Sequence, residues 1–166
     1  YFMSGQTAVS IFMGSKSDLS ILQFASDILK EFNITHNMFI LSAHRTPEEV
    51  VKKIKESEAN GVKVFIAAAG MAAHLAGAIA AQTTKPVLGI PIGGGDLDGI
   101  DSLLATVQMP KGVPVATFAI GKSGAINAAL CAVQILGTSS EEISAQLSNY
   151  KIKMHDDVLN ANKSIQ

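Results

Sequence analysis

Short apolar, β-rich runs alternate along this chain with segments whose apolar positions recur every three or four residues. Residues 8–13 form such a run and stop at Gly14. Ile21, Leu22, Ala25, Ile28, Leu29 and Phe32 follow at helical spacing. A second strand is predicted over 38–41, and Val50, Val51 and Ile54 mark a helix after Pro47. Residues 62–68 are nearly all apolar, as in a strand covered on both faces. Residues 72–82 are small and apolar, which suits a closely packed helix. Further strands are predicted over 86–91 and 113–120, with a short helix over 100–108 between them and an Ala-rich helix over 124–136. Beyond the helix-start signal Thr138-Ser139-Ser140, Ile143, Leu147, Tyr150, Met154 and Val158 predict a last helix over 141–162.

This order of elements predicts one α/β domain over 1–166, an open parallel sheet with helices on both faces. Ligands of such sheets bind beyond the carboxyl ends of the strands. Those ends carry the polar and glycine punctuation here: Gly14-Ser15, 42–44 and 69–71. No strand follows the last helix, so the extension 139–166 is expected to reach away and pack on a neighbouring subunit rather than on its own sheet. Met3-Ser4 reads as the native start, Tyr1-Phe2 as an expression remnant, and 1–7 as a tag-derived or disordered lead.

Composition sharpens this picture. Of 166 residues, 48% are apolar and only 16% charged, which is rich for a small monomer. No uncharged apolar run is long enough to span a bilayer, so buried subunit contacts are the expected destination of the surplus. The net charge of −1 offers no basic field for nucleic acid or a membrane surface. The single cysteine, Cys131, excludes an intrachain disulfide, fits a reducing compartment and is expected in the core. No secretion signal opens the chain.

Three junctions carry candidate chemistry. At Ser42-Ala43-His44-Arg45-Thr46-Pro47-Glu48-Glu49 a strand ends and a helix begins, with Thr46 as N-cap, Pro47 as first helical residue and Glu49 as capping-box partner. That holds an imidazole and a guanidinium just outside the helix mouth, which suits acid–base work on a phosphorylated substrate; an ordinary exposed loop fits the residues equally well. At Gly14-Ser15-Lys16-Ser17-Asp18, first-turn amides and two hydroxyls can hold an oxyanion, while the acceptor-only Asp18 suits ribose hydroxyls; a plain Ser-capped helix is the simpler reading. It is neither a P-loop nor a dinucleotide fingerprint. At Ala69-Gly70-Met71-Ala72-Ala73-His74, small residues let a planar ring approach the backbone, and His74 reads more readily as structural than as a ligand contact. Residues 97–114 read as a structural loop and short helix, capped by Asp101 or Ser102. No His, Cys or carboxylate cluster has metal-ligand spacing, no nucleophile elbow appears, and His36 and His155 are given no role.

Taken together, Gly-Ser-Lys-Ser-Asp, Ser-Ala-His-Arg-Thr-Pro, Ala-Gly-x-Ala-Ala-His-Leu-x-Gly and Asp-Ser-Leu-Leu-x-x-Val-Gln-Met-Pro-x-Gly-x-Pro-Val resemble class I 5-(carboxyamino)imidazole ribonucleotide mutase of purine biosynthesis. The likeness runs from about Val9 to Leu136. It implies a flavodoxin-like sheet, a cytoplasmic homo-octamer with sites at subunit contacts, and an imidazole ribonucleotide isomerised without metal or organic cofactor. It further implies decarboxylation to aminoimidazole ribonucleotide and recapture of trapped CO2 at ring carbon 4, in a closed pocket walled by 69–73. His44 falls on the catalytic position, Arg45, Ser15 and Ser42 on phosphate positions, Asp18 on the ribose contact, and Ser17 near them. Gly70, Met71, Ala72 and His74 are further substrate-binding candidates, where the small-residue turn would admit a planar ring. The chain departs from the family at Met71, where glycine is usual, and at 92–96, where a Gln-Ser pair is usual. Competing readings are a class II carboxylase using CO2 directly, a non-catalytic binding module for a phosphorylated ligand, and a flavin carrier.

Overall fold

A computed structural model describes residues 7–165. Five parallel strands, β1 (Val9–Met13), β2 (His36–Ile40), β3 (Val64–Gly70), β4 (Val87–Ile92) and β5 (Ala116–Thr117), stand in the order β2-β1-β3-β4-β5. This is the flavodoxin-like order, in which the chain reverses direction across the sheet between β1 and β3. The helices are α1 (Leu19–Glu31), α2 (Pro47–Ala59), α3 (Leu75–Ala80), α4 (Ile100–Val107), α5 (Lys122–Gly137) and α6 (Glu141–Lys163).

The two-residue period of the strands sorts their side chains into two cores. Val9, Ile11 and Met13 of β1, with Val64, Ile66 and Ala68 of β3, face the layer built from α1 and α5. Phe12, Phe65 and Ala67 face the opposite layer, with Val50 and Ile54 of α2 and Leu75 and Ile79 of α3. Being covered twice, β1 and β4 are buried at every residue, whereas edge strand β2 is not. Gly89 lets α4 close on β4, since a Cβ there would stand 2.5 Å from Thr106 Cγ2 and 2.8 Å from Val115 Cγ1.

Several expectations change. The fifth strand shrinks from 113–120 to Ala116–Thr117, because only Leu88 and Gly89 pair with it at the sheet edge. The helix expected over 72–82 begins only at Leu75, after a bend at 71–72. Neither Asp101 nor Ser102 caps α4. Gly99, at φ 94°, occupies the cap, and the buried Ser102 hydroxyl lies 2.9 Å from both Ile92 O and Gly99 O. Cys131 packs at the margin of the core, half-buried rather than fully enclosed, and burial pushes its thiol pKa up. His36 is half-buried and bridges Ser26 and Ile34 O at 2.8 and 2.9 Å.

Helix α6 starts as predicted, with Ser140 Oγ accepting from Ile143 N–H. Its first half packs on its own subunit through Ile143, Leu147 and Tyr150, whose ring stands 5.6 Å from Phe32. Beyond that, Ile152, Met154, Val158 and Leu159 are exposed. The expected tag-derived lead lies, apart from Thr7, outside the described residues. No described helix is long and apolar enough to cross a membrane.

Candidate active site

The register brings four chain turns to one edge of the sheet: Met13 pairs with both Ile40 and Ala68, and Gly70 pairs with Ile92. The turns after β1, β2, β3 and β4 enclose a cavity of about 720 Å³. His44, Arg45, Ser15, Ser17, Asp18, Ser42, Gly70, Met71, Ala72 and His74 all line it, whereas Ala73, expected in the wall, is buried and does not. Its mouth is open, with His44, Arg45, Met71 and Gly93 to Gly95 exposed, rather than the expected closed pocket.

The turn after β1 is a single 3-10 turn (Lys16–Asp18) closed on itself. Ser15 Oγ accepts from Ser17 N–H at 3.4 Å, and Asp18 Oδ2 accepts from Ser15 N–H at 3.1 Å, completing a capping box. The Ser17 hydroxyl lies 3.0 Å from Ser15 Oγ and 3.1 Å from Asp18 Oδ1. Asp18 is therefore mainly a brace: it is 5% exposed and each oxygen already accepts one bond, leaving one lone pair apiece for a ligand. Burial raises its carboxyl pKa, against the opposing pull of the Ser17 and Ser15 hydrogen bonds and the charge of Arg45.

The turn after β2 is held differently from the sequence expectation. Thr46 precedes α2, and Pro47 is its first residue, but the capping box with Glu49 does not form. The Thr46 hydroxyl turns back instead, accepting from Ser42 N–H at 2.9 Å and donating to Ser42 O at 3.1 Å. A hydroxyl already committed across its own turn cannot reach the helix amides. Ser42 Oγ in turn accepts from Arg45 N–H at 3.3 Å. The Arg45 guanidinium reaches across the switch point and donates to Gly14 O at 2.8 Å, tying this turn to the one after β1.

From the turn after β3, His74 Nδ1 comes within 2.8 Å of His44 Nε2, with the rings at 80° and their centroids 4.9 Å apart. His74 thus lines the same cavity as His44 and is paired with it. The contact joins residues 30 apart in sequence, and no local pattern announces it. Met71 precedes it with φ 56°, a left-handed conformation that costs a side-chain-bearing residue about 1–2 kcal/mol. The glycine usual there in the resembled family is free of that cost. The turn after β4 presents Gly93, Gly94 and Gly95, the last two at φ 136° and 70°. Sequence reasoning marked this turn only as a departure, and it missed the Gly14 carbonyl as the partner of Arg45. Among the described residues no three His, Cys, Asp or Glu side chains converge at metal-ligand spacing.

Comparisons with known proteins identify the family. A family described as AIR carboxylase matches residues 8–157. The chain is 50% identical to N5-carboxyaminoimidazole ribonucleotide mutase of Escherichia coli K12, over 91% of this chain and 89% of that one. It is 49% identical to the protein of that name from Saccharolobus solfataricus, over 91% and 94%. The crystal structure of Treponema denticola PurE superposes with a TM-score of 0.87 at 28% identity, covering 96% of this chain and 98% of that one.

Proposed function

The chain belongs to the AIR carboxylase family, and from that premise we infer that it is an isomerase of purine biosynthesis, the N5-carboxyaminoimidazole ribonucleotide mutase, with His44 as its proton carrier. The single observation that carries this assignment of roles is the His44–His74 pair, set in the cavity beside Arg45.

Isomerisation moves a carboxyl group from the exocyclic nitrogen to ring carbon 4. In the first half, the N–C bond of the carbamate breaks, its electron pair stays on nitrogen, and CO2 departs as His44 delivers a proton to that nitrogen. In the second half, ring carbon 4 attacks the retained CO2, and His44 removes the proton from carbon 4 to restore aromaticity. One proton is given and one is taken, so the residue ends as it began. Only one proton fits between His44 Nε2 and His74 Nδ1. If His74 accepts, His44 keeps its Nε2 proton throughout and its Nδ1 is free to give and take. If His74 donated, release of the remaining His44 proton would leave an imidazolate. His74 is therefore a positioning residue that fixes the working tautomer.

Arg45, Ser15, Ser17 and Ser42 surround the place for the phosphate. The turn amides of Ser15, Ser17, Ser42 and Arg45 are already committed within their own turns, so the guanidinium, through charge-assisted bonds, and the serine hydroxyls are the donors offered to such an anion. Asp18 offers its remaining lone pairs to the ribose. The backbone of Gly70, Met71 and Ala72 lies beside the base. The exposed apolar residues Leu97, Ile100 and Leu104 around α4, and Ile152, Val158 and Leu159 on α6, support a homo-oligomer, an octamer in the resembled family, that closes the open mouth. A cytoplasmic location follows from the pathway.

The test is direct. With chelator present and no bicarbonate added, the carboxyamino ribonucleotide is expected to convert to the 4-carboxylate well above its spontaneous rate. Product only from aminoimidazole ribonucleotide plus high bicarbonate would instead make the protein a carboxylase. Binding without turnover in either assay would leave a binding module.

A further inference from the structure

Three consecutive glycines face an exposed methionine across the mouth of the cavity, and crowding alone does not explain the set. A Cβ added at Gly93 would meet only ordinary contacts, Ile120 Cγ2 at 3.6 Å and Asp98 O at 3.7 Å, and one added at Gly94 would meet nothing within 4 Å. At Gly95 the nearest atom is Met71 Cγ, at 3.6 Å. Gly70 and Ile92 are paired in the sheet, so Met71 and Gly93 continue two neighbouring strands outward side by side. The turn after β4 thus presents no side chain where the turn after β3 presents a long one, and that residue, 64% exposed, is held in a left-handed conformation. A strained backbone carrying a large apolar side chain at a cavity mouth is an arrangement expected where the side chain has work to do.

Resting on the mutase reading, we propose that the Met71 side chain is the movable wall of the base and CO2 end of the site, closing over the ligand in the space that residues 93–95 leave free. An unbranched thioether suits this task. It is apolar, so it excludes water and does not hydrogen-bond CO2 away, and its three rotatable bonds let it fold over a ring of varying position. The glycine loop can move toward or away from it without displacing side chains. Met71 therefore decides how long CO2 survives in the site between the two half-reactions. It is a specificity residue for internal over external CO2.

The experiment runs the full-length enzyme on unlabelled carboxyamino ribonucleotide in 13C-bicarbonate with carbonic anhydrase, and reads the label in the 4-carboxylate product. Wild type and Met71→Leu, which keeps apolar bulk, are expected to incorporate little label. Met71→Gly is expected to incorporate at least about five-fold more, with its thermal midpoint equal to or above that of wild type because the backbone strain is gone. Equal labelling in Met71→Gly and wild type overturns the proposal. So does a rise that Met71→Leu shares. Failure of the mutase reading is separately visible, as wild type that makes no product without bicarbonate. In that event the dissociation rate of aminoimidazole ribonucleotide decides: at least about five-fold faster loss from Met71→Gly sustains the wall, and an unchanged rate removes it.

Discussion

The two ends of the cavity are built on opposite plans. The turns after β1 and β2 are cross-braced: the Ser15–Asp18 capping box, the double Ser42–Thr46 contact and the Arg45 bond to Gly14 O leave little freedom. The turns after β3 and β4 hold a methionine at φ 56° and three glycines, of which Gly94 and Gly95 also have positive φ. A phosphate and a ribose present fixed charges and hydroxyls, so their receptor gains from being set before binding. On the proposed mechanism the other end passes a neutral gas from one atom of the ring system to another, which a rigid wall would obstruct. Under the proposed reading, the braced turns receive the part of the ligand that does not change, and the glycine-rich turns face the part that does. His44 and His74 stand at the border between the two.

The sharpest way to break this contrast is at its border. His44→Asn is expected to lower kcat by at least about 10³-fold while aminoimidazole ribonucleotide still binds, as loss of a general acid–base implies. A near-normal rate would remove His44 from the chemistry. On the braced side, Arg45→Ala is expected to raise KM about 10- to 100-fold with a smaller change in kcat, from loss of a charge-assisted bond of about 1.5–3 kcal/mol. An unchanged KM would take the phosphate elsewhere. His74→Asn is expected to lower kcat about ten-fold, to leave KM nearly unchanged and to alter the shape of the kcat–pH profile. A purely structural histidine would lower stability and leave that shape alone.

Smaller effects test the brace itself. The Asp18 carboxyl pKa is raised by burial above 3.8, so the native state holds its proton more tightly than the unfolded chain does. The associated stability is fully present below 3.8 and is lost as pH rises through the folded value. Urea midpoints of wild type are therefore expected to carry a downward contribution with rising pH just above that value, which Asp18→Asn abolishes. Identical slopes would show the carboxyl to be unperturbed. Least disturbing to the subunit fold, truncation after Tyr150 removes a stretch of α6 with no buried residue and is expected to shift the thermal midpoint by about 2 °C or less. Loss of assembly by light scattering would assign that stretch to subunit contacts, and an intact oligomer would free it of that role.

The alternation of strands and helices, the parallel sheet and the polar and glycine punctuation of the strand ends are all written in local sequence, while the roles of the residues at those ends are implied by the family resemblance. The local part rests on period-two and period-3.6 apolar patterns, a serine before a turn and a proline at a helix start, whereas the residues at the strand ends by themselves fit plain structural readings as well as functional ones. Even locally, competition decided some details, as where the Thr46 hydroxyl bonded Ser42 rather than the helix it precedes. Only the tertiary structure joined His44 to His74, Arg45 to the Gly14 carbonyl, and Met71 to Gly95. Those pairs lie far apart in sequence or on separate strand ends, and no local pattern encodes a distance. They exist because the β2-β1-β3-β4 order, fixed by burying both faces of the sheet at once, brings four separately specified turns to one edge.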